Sequence, residues 1–176
     1  MFNNTFPTLT TERLTLRQLS ETDAPEIFLL RSDPTVNKYL GRQPSKTPEE
    51  ALSFIKNVNK NVGNNAGCYW AITFTGSAKL VGTICLFDIS DELKKCEIGY
   101  ELLPDHQGQG IMQEALEKII EFVFQTLGLD IIEAFTHNDN ESSSGLLQKF
   151  NFKKISNIDD LLNYKLHKPD RLSGAQ

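Results

Sequence analysis

The sequence has few of the residues that mark metal-binding, disulfide-linked or nucleic-acid-binding proteins. It contains 3 cysteines and 3 histidines among 176 residues, and their wide spacing fits neither a zinc site nor a disulfide framework. It has no run of lysine and arginine, and its net charge is −5, which argues against electrostatic binding to nucleic acid. We therefore expect no metal and no nucleic-acid partner, whereas an amine-bearing partner is compatible with the acidic balance.

Long apolar runs are also missing. The N-terminus MFNNTFPTLT has neither the basic segment nor the apolar segment of a secretion signal, and nothing approaches membrane-spanning length. We expect a cytoplasmic protein with no membrane partner. Cys68, Cys85 and Cys96 each lie in an apolar segment, so we predict that they are buried hydrophobes.

What the sequence does contain is the material for one globular core. Hydrophobic residues make up 39% and charged residues 23% of the chain, which suits a single domain over residues 1–168 with a C-terminal tail at 169–176. Trp70, Phe74, Phe87, Phe122 and Phe124 are expected to build the core.

Periodicity predicts a mixed α/β fold, a single central sheet of about seven strands flanked by helices in the order β-α-α-β-β-β-α-β-α-β-β. Three consecutive strands with short links indicate an antiparallel meander, and a strand–helix–strand unit after it implies parallel pairing. A mobile loop at Thr35–Lys46 is expected between the first two helices. The predicted elements are strands Leu14–Leu19, Cys68–Thr75, Lys79–Ile89, Lys95–Leu103, Ile131–Thr136, Phe152–Ile155 and Leu161–His167, and helices from Ala24, Thr47, Gly110 and Asn140.

A glycine-containing turn joins the Lys95–Leu103 strand to the long helix that runs from Gly110 to about Leu127. It lies within His106–Leu116, which reads HQGQGIMQEAL. Glycines at a strand-to-helix turn allow close backbone approach, and the first helical N–H groups can bind an anion. The sequence of this turn does not fit a P-loop, because Ile111 follows the last glycine where a P-loop has lysine. It does not fit a dinucleotide-binding fingerprint either, because Gln113 occupies the position of the third glycine. On its own, the turn could equally be an ordinary glycine-rich helix start.

Four segments in the right order resemble the GNAT family of acyl-CoA-dependent N-acyltransferases, and in particular its RimJ/RimL-like branch. The resemblance covers nearly the whole chain. It rests on TERLTLR at Thr11–Arg17, EIGY at Glu97–Tyr100 with Pro104 and QGQGIMQEAL after it, NESS at Asn140–Ser143, and LLQKFNF at Leu146–Phe152.

The resemblance implies that the chain binds acetyl-CoA. The glycine turn would give backbone N–H groups to the pyrophosphate, the end of the strand would pair with the pantetheine arm, and the following strand would have to part from it there. Met112 replaces the usual small residue, so its side chain must point away from the phosphates. The cofactor-binding residues that this implies are Leu102, Leu103, Gln107, Gly108, Gln109, Gly110, Ile111, Met112 and Asn140.

The family position of Glu97 implies a general base, acting directly or through water, and partial burial would raise its pKa. Strand alternation places Glu97, Gly99 and Glu101 on one face. A solvated or ion-paired Glu97 is the alternative. Glu101 is a second candidate base or a ligand for the acceptor ammonium, and Tyr39, in a loop beside the predicted site, is a candidate substrate contact.

Ser143, or a water that it holds, is the candidate general acid. Helix capping alone would also explain Asn140 and Ser143. The chain departs from many family members in having Lys149 and Phe150, and no tyrosine, just after this helix; Tyr164 is a distant substitute that we expect to be packed instead. Asn151 replaces a glycine, and asparagine can adopt the left-handed conformation needed there.

We expect an N-acetyltransferase acting on a primary amine, such as a protein N-terminal α-amine of the ribosomal-protein type. A small amine, namely a polyamine, an amino sugar or an amino acid, is the alternative acceptor. Two further alternatives are a non-catalytic acyl-CoA sensor and a fold that does not bind CoA at all. The chain could be a monomer or a homodimer.

Overall fold

One mixed sheet of eight strands forms the centre of the computed structural model, which describes residues 6–63 and 67–169. The strand order is β1-β2-β3-β4-β5-β6-β8-β7. The strands are β1 (Leu9–Thr10), β2 (Leu14–Gln18), β3 (Cys68–Phe74), β4 (Leu80–Ser90), β5 (Lys95–Leu102), β6 (Ile131–His137), β7 (Lys153–Ile158) and β8 (Leu161–His167).

Within the described residues, five α-helices flank the sheet: α1 (Ala24–Ser32), α2 (Pro34–Asn37), α3 (Pro48–Gly63), α4 (Ile111–Glu121) and α5 (Glu141–Lys149). Helix α4 continues as a π-helix over Phe122–Leu127 and ends at Gly128, whose φ is +67°. No helix in the described ranges is long and apolar enough to span a membrane.

The predicted topology is confirmed. Strands β3, β4 and β5 form an antiparallel meander, strand β6 pairs in parallel with β5 across helix α4, and β7 and β8 form the terminal hairpin. Asn151 adopts a φ of +63° after α5, as its replacement of glycine predicts. Phe152 then packs in the core.

Some elements differ from the prediction. The sheet has an eighth strand, the short β1, and β7 runs over Lys153–Ile158 instead of Phe152–Ile155. The expected mobile loop after α1 begins as helix α2, because the Asp33 carboxylate accepts a hydrogen bond from the Val36 N–H at 2.9 Å and so caps a new helical turn. Proline at the first helical position favours the same turn.

The sheet has a core on each side. The larger core lies between the sheet, α4 and α5 and contains Trp70, Cys68 and Cys96, all nearly inaccessible. The smaller core lies under α1 and α3. Phe122 and Phe124 are buried as predicted. Phe87 is not: it is 37% exposed, because alternation along β4 directs it to the opposite face from Leu86.

Strands β5 and β6 are paired at their beginnings and separate further along. They pair at three positions, of which Glu97 with Glu133 is the last. Beyond it β5 continues to Leu102 beside β4, and β6 continues to His137 beside β8. A gap with unpaired strand edges therefore opens at Glu97, as the family resemblance implies.

Candidate active site

A cleft of about 430 Å³ lies where helices α4 and α5 begin, next to the gap between β5 and β6. It is lined by most of the predicted site residues, whereas Glu97, Leu103 and Gln109 do not line it. The predicted residues in its wall are Tyr39, Glu101, Leu102, Gln107, Gly108, Gly110, Ile111, Met112, Asn140 and Ser143.

The glycine turn has the geometry of an anion site. Gly108 and Gly110 have φ values of +72° and +73°, a conformation that glycine adopts without steric cost. The first intrahelical bond of α4 is donated by the Glu114 N–H to the Gly110 carbonyl, so the N–H groups before Glu114 remain at the helix start for a ligand. A Cβ at Gly108 would meet no protein atom within 4 Å. The turn is thus open, and its donors fit a pyrophosphate.

Met112 keeps its side chain out of this turn. It is 9% exposed and packs in the larger core, as predicted. Its replacement of a small residue therefore leaves the backbone donors accessible.

The turn is held in place by Arg13, the residue before strand β2. The Arg13 Nε donates to the Glu114 carboxylate at 2.6 Å, its backbone N–H donates to the same group, and Nη1 donates to the Gln109 carbonyl at 3.2 Å. Thr11 also donates to Glu114. Burial alone would raise the pKa of Glu114, yet these hydrogen bonds hold it below its ordinary value. The first turn of α4 is therefore anchored to a segment about a hundred residues earlier.

Of the two residues predicted to contact the pantetheine arm at the end of β5, one faces the cleft and the other does not. Leu102 lines the cleft, and its carbonyl accepts a hydrogen bond from the Gln107 side chain at 3.0 Å. Leu103 turns away: its N–H donates to the Val81 carbonyl, its carbonyl accepts from the His106 N–H, and its side chain packs in the smaller core. Leu102 therefore remains the available backbone contact, and the expectation for Leu103 does not fit its position.

The N-terminus of α5 faces the same cleft. Asn140 caps the helix, since its Oδ1 accepts a hydrogen bond from the Ser143 N–H at 3.2 Å. The capping interpretation is thus correct, and it also places the Ser143 side chain in the cleft wall. There the Ser143 hydroxyl lies 2.9 Å from the Tyr100 hydroxyl.

Glu97 lies at the point where β5 and β6 part. Its side chain is half-buried and has no hydrogen-bond partner in the described part of the chain. Burial raises the pKa of Glu97 to about 7, with further contributions from the negative charges of Asp88 and Glu133. The carboxylate is therefore poised to exchange a proton near neutral pH.

Glu101, on the same face of β5, has a different environment. Arg42 binds its two carboxylate oxygens with Nη1 and Nη2, both at 2.6 Å, while the Arg42 Nε donates to Asn37. The two side chains are 20% and 14% exposed. Glu101 is thus held by a bidentate cationic partner, whereas no hydrogen bond from the described part of the chain occupies the Glu97 carboxylate.

The segment after α2 is attached to this face as well. Tyr39 stacks on His137, with ring centroids 5.3 Å apart, and the Ser45 N–H donates to the Arg31 carbonyl at 2.9 Å. Together with Arg42, these contacts fix the segment over the ends of β5 and β6. Tyr39 lines the cleft as predicted.

The sequence matches the model of the acetyltransferase (GNAT) domain over residues 13–153. The chain belongs to the GNAT family. It is 36% identical over 149 residues to the uncharacterised N-acetyltransferase YoaA of Bacillus subtilis, covering 85% of this chain and 84% of YoaA. It is 34% identical over 147 residues to the uncharacterised N-acetyltransferase p20 of Bacillus licheniformis, covering 84% and 83% of the two chains.

The fold of a solved RimL structure is also similar. That protein is described as a ribosomal L7/L12 α-N-protein acetyltransferase in complex with coenzyme A; it superimposes with a TM-score of 0.81 at 18% identity, covering 92% of this chain and 98% of that one. The predicted GNAT fold is thereby confirmed. This GNAT chain is an acetyl-CoA-dependent N-acetyltransferase.

Sequence reasoning missed several residues of this GNAT site. Arg13 and Arg42 act on Glu114 and Glu101 across long sequence separations, and no local pattern links them. Tyr100, which alternation along β5 directs to the face opposite Glu97, was given no role. Two signals could have indicated that Tyr100 and Ser143 share a side of the sheet: the alternation along β5, and the motif NESS at Asn140–Ser143.

Within residues 6–63 and 67–169, no group of three or more histidine, cysteine, aspartate or glutamate side chains is arranged to hold a metal ion. Tyr164, the distant substitute for a general acid, is 2% exposed in the larger core. It is a packed aromatic residue, as expected.

Proposed function

We propose that this GNAT enzyme acetylates the α-amine at a protein N-terminus, with Glu97 as the general base and Ser143 at the leaving sulfur. The observation that carries the proposal is the pKa of about 7 for the half-buried Glu97, at the opening between β5 and β6. A neutral amine is needed for attack on a thioester, and a carboxylate that titrates near neutrality removes the ammonium proton efficiently. Glu97 takes this proton directly or through one water.

Acetyl-CoA supplies the thioester acyl group. The backbone N–H groups from Gly108 to Met112 would hold its pyrophosphate at the start of α4. The Leu102 backbone would pair with the pantetheine arm, and the Asn140 amide nitrogen remains as a further donor because capping uses Oδ1. The Ser143 hydroxyl donates a hydrogen bond to the leaving sulfur, or holds the water that protonates it, beside the positive end of the α5 dipole.

The acceptor side supports a peptide N-terminus. Phe87 lies opposite Glu97 in the β4–β5 register, and Phe135 lies two residues after its β6 partner Glu133, so both rings share its face. They are 37% and 41% exposed. Exposed rings next to the base offer apolar surface for the first side chain of a peptide. The α-N-protein activity named for the RimL structure agrees with this acceptor class.

The test is a thiol-release assay with acetyl-CoA and a panel of peptides with free N-termini, polyamines, amino sugars and free amino acids. We expect turnover with the peptides, and mass spectrometry should place the acetyl group on the α-amine. Matched peptides with a blocked N-terminus and an internal lysine should be inactive. Turnover confined to a small amine would overturn the assignment of the acceptor, and no turnover with bound CoA would overturn the proposed chemistry.

A further inference from the structure

The hydroxyl group of Tyr100 is directed at Ser143. Their oxygens are 2.9 Å apart, and both residues line the cleft. Among the residues that the structure describes, this is the hydrogen bond that the Ser143 hydroxyl makes. A serine in the first turn of a helix commonly turns its hydroxyl back to its own backbone, but here it lies against a strand across the cleft.

Each of the two hydroxyls carries one proton, so the direction of the bond decides what Ser143 can do. The geometry allows either hydroxyl to donate. Because a phenol is a much stronger acid than an aliphatic alcohol and is the better donor, we assign Tyr100 as the donor and the Ser143 oxygen as the acceptor. The proton of Ser143 is then free to point away from Tyr100. Since Ser143 lies in the cleft wall, its proton is available to a ligand in the cleft.

Tyr100 does not itself act as the acid. Burial raises the pKa of Tyr100 to about 12, whereas a thiol ionises at about 8.5. A phenol that holds its proton this firmly does not give it up to a thiolate. It stays protonated through the reaction and therefore remains a donor to Ser143.

We propose that Tyr100 is a positioning residue that holds Ser143 with its hydroxyl proton directed at the leaving sulfur of CoA. This inference rests on the proposed function of Ser143. It also accounts for the missing tyrosine after α5: Lys149 and Phe150 cannot supply a phenol, and β5 supplies one from the other side of the cleft to orient a serine. The leaving sulfur accepts the hydrogen bond from Ser143 and takes its final proton from water.

The first test measures the ionisation of the CoA thiol bound to the protein, by ultraviolet absorbance of the thiolate during a pH titration. The same protein saturated with desulfo-CoA serves as the blank. A hydrogen bond to a charged sulfur stabilises the thiolate, so in Tyr100→Phe we expect the acid dissociation constant of the bound thiol to fall about tenfold. Tyr164→Phe is the matched control, since it removes a phenol that contacts α5 through Gln148 and does not line the cleft. It should leave the constant unchanged.

The second test places the two residues in one pathway by a double-mutant cycle. If Tyr100 acts through Ser143, Tyr100→Phe should lower kcat about tenfold in the wild-type background and have no further effect in Ser143→Ala. The KM for acetyl-CoA and the Tm should change little, because the phenylalanine preserves the packing.

The possible outcomes separate this inference from the proposed function. If Ser143→Ala alters neither kcat nor the thiol constant, the proposed role of Ser143 is wrong, and the positioning role falls with it. If Ser143→Ala alters both but Tyr100→Phe alters neither, the role of Ser143 stands and the inference about Tyr100 is overturned. Equal effects of Tyr100→Phe and Tyr164→Phe would also overturn it, because they would show a general loss of structure.

Discussion

The two faces of strand β5 at the active site are built in different ways. On one face, Tyr100 and Leu102 meet the glycine turn and the α5 N-terminus, where backbone N–H groups are the main donors. On the other, Glu97 and Glu101 meet side chains from distant segments: Phe87, Arg42, and Glu133 at the last paired position before the gap. A ligand common to a whole family can be held by backbone groups, whereas a base and an acceptor site need particular side chains. The proposed function places CoA on the first face and the acceptor on the second.

The largest expected effect is that of Glu97→Gln, which tests whether the second face alone carries out proton transfer. Glu97→Gln should lower kcat by ~10²–10⁴-fold because the amide cannot accept the proton, while the Kd for acetyl-CoA should remain unchanged. In the wild type, kcat/KM should rise with pH through about 7, since the base must be ionised, and the variant should lose this dependence. Stopped-flow or steady-state thiol release across the pH range measures kcat and the pH dependence of kcat/KM.

Glu117→Gln is the control for the change in charge, because Glu117 is an exposed residue on α4. It should retain the wild-type rate and pH profile. A Glu97→Gln variant that acetylates amines at the wild-type rate would show that the base has been assigned to the wrong residue.

The next largest effect should be confined to the first face. Arg13→Ala removes the hydrogen bonds that the Arg13 side chain makes to Glu114 and to the Gln109 carbonyl, so the glycine turn should lose its preorganisation. We expect the Kd for CoA, measured by calorimetry, to rise about tenfold, with little change in kcat at saturating acetyl-CoA. Lys118→Ala, which removes an exposed ion pair on the same helix, should change the Kd less than twofold. Equal effects of the two variants would mean that Arg13 acts only through surface charge.

A smaller effect should mark the acceptor face. Arg42→Ala breaks the bidentate pair with Glu101 and releases the segment over β5 and β6, so the KM for the acceptor should rise severalfold while the Kd for CoA stays constant. Arg42→Lys should restore little, because an ammonium group cannot form the bidentate contact. Full rescue by lysine would show that charge, and not geometry, is what this pair contributes.

The smallest expected effect is on stability, which Glu97→Gln should increase although it lowers activity. The folded-state pKa of Glu97, about 7, lies above the ordinary value of about 4.3. Between these values the folded state binds more protons than the unfolded state, so this group lowers stability as pH rises. Glu97→Gln should therefore raise the Tm above pH 7 by about 2–4 °C and have no such effect near pH 4. Thermal unfolding at the two pH values tests this, and an equal Tm for both proteins above pH 7 would contradict the raised pKa.

The first face was largely predictable from sequence. The turn from Gln107 to Met112 and its helix are contiguous in the chain, and glycine, strand end and helix start each have local causes. Capping by Asn140 is local too and was predicted as an alternative to cofactor binding. Leu103 was the exception, because its N–H and carbonyl are used by Val81 and His106, and the pairing at a strand end depends on where the neighbouring strand and turn lie.

The second face was predictable only in part. Alternation along β5 gave the shared face of Glu97 and Glu101 correctly, but their roles depend on partners that lie far away in the chain. Phe87 was expected in the core because aromatic side chains are usually buried; it lies at a register shift in β4 and is exposed instead. The segment with Tyr39 and Arg42 has no periodic pattern, so its attachment to His137 and Glu101 could not be predicted.

By itself the sequence determined the order of the main helices and strands, the parallel pairing of β5 with β6 and the glycine turn at the start of α4, since hydrophobic periodicity and turn chemistry act over a few residues. Tertiary structure alone decided that Arg42 neutralises Glu101 and not Glu97, that Arg13 anchors the glycine turn, and that Tyr100 meets Ser143. These contacts join residues that are distant in sequence. The pKa of a carboxylate and the direction of a hydroxyl proton depend on burial and on neighbouring charges and donors, which only the folded chain brings together.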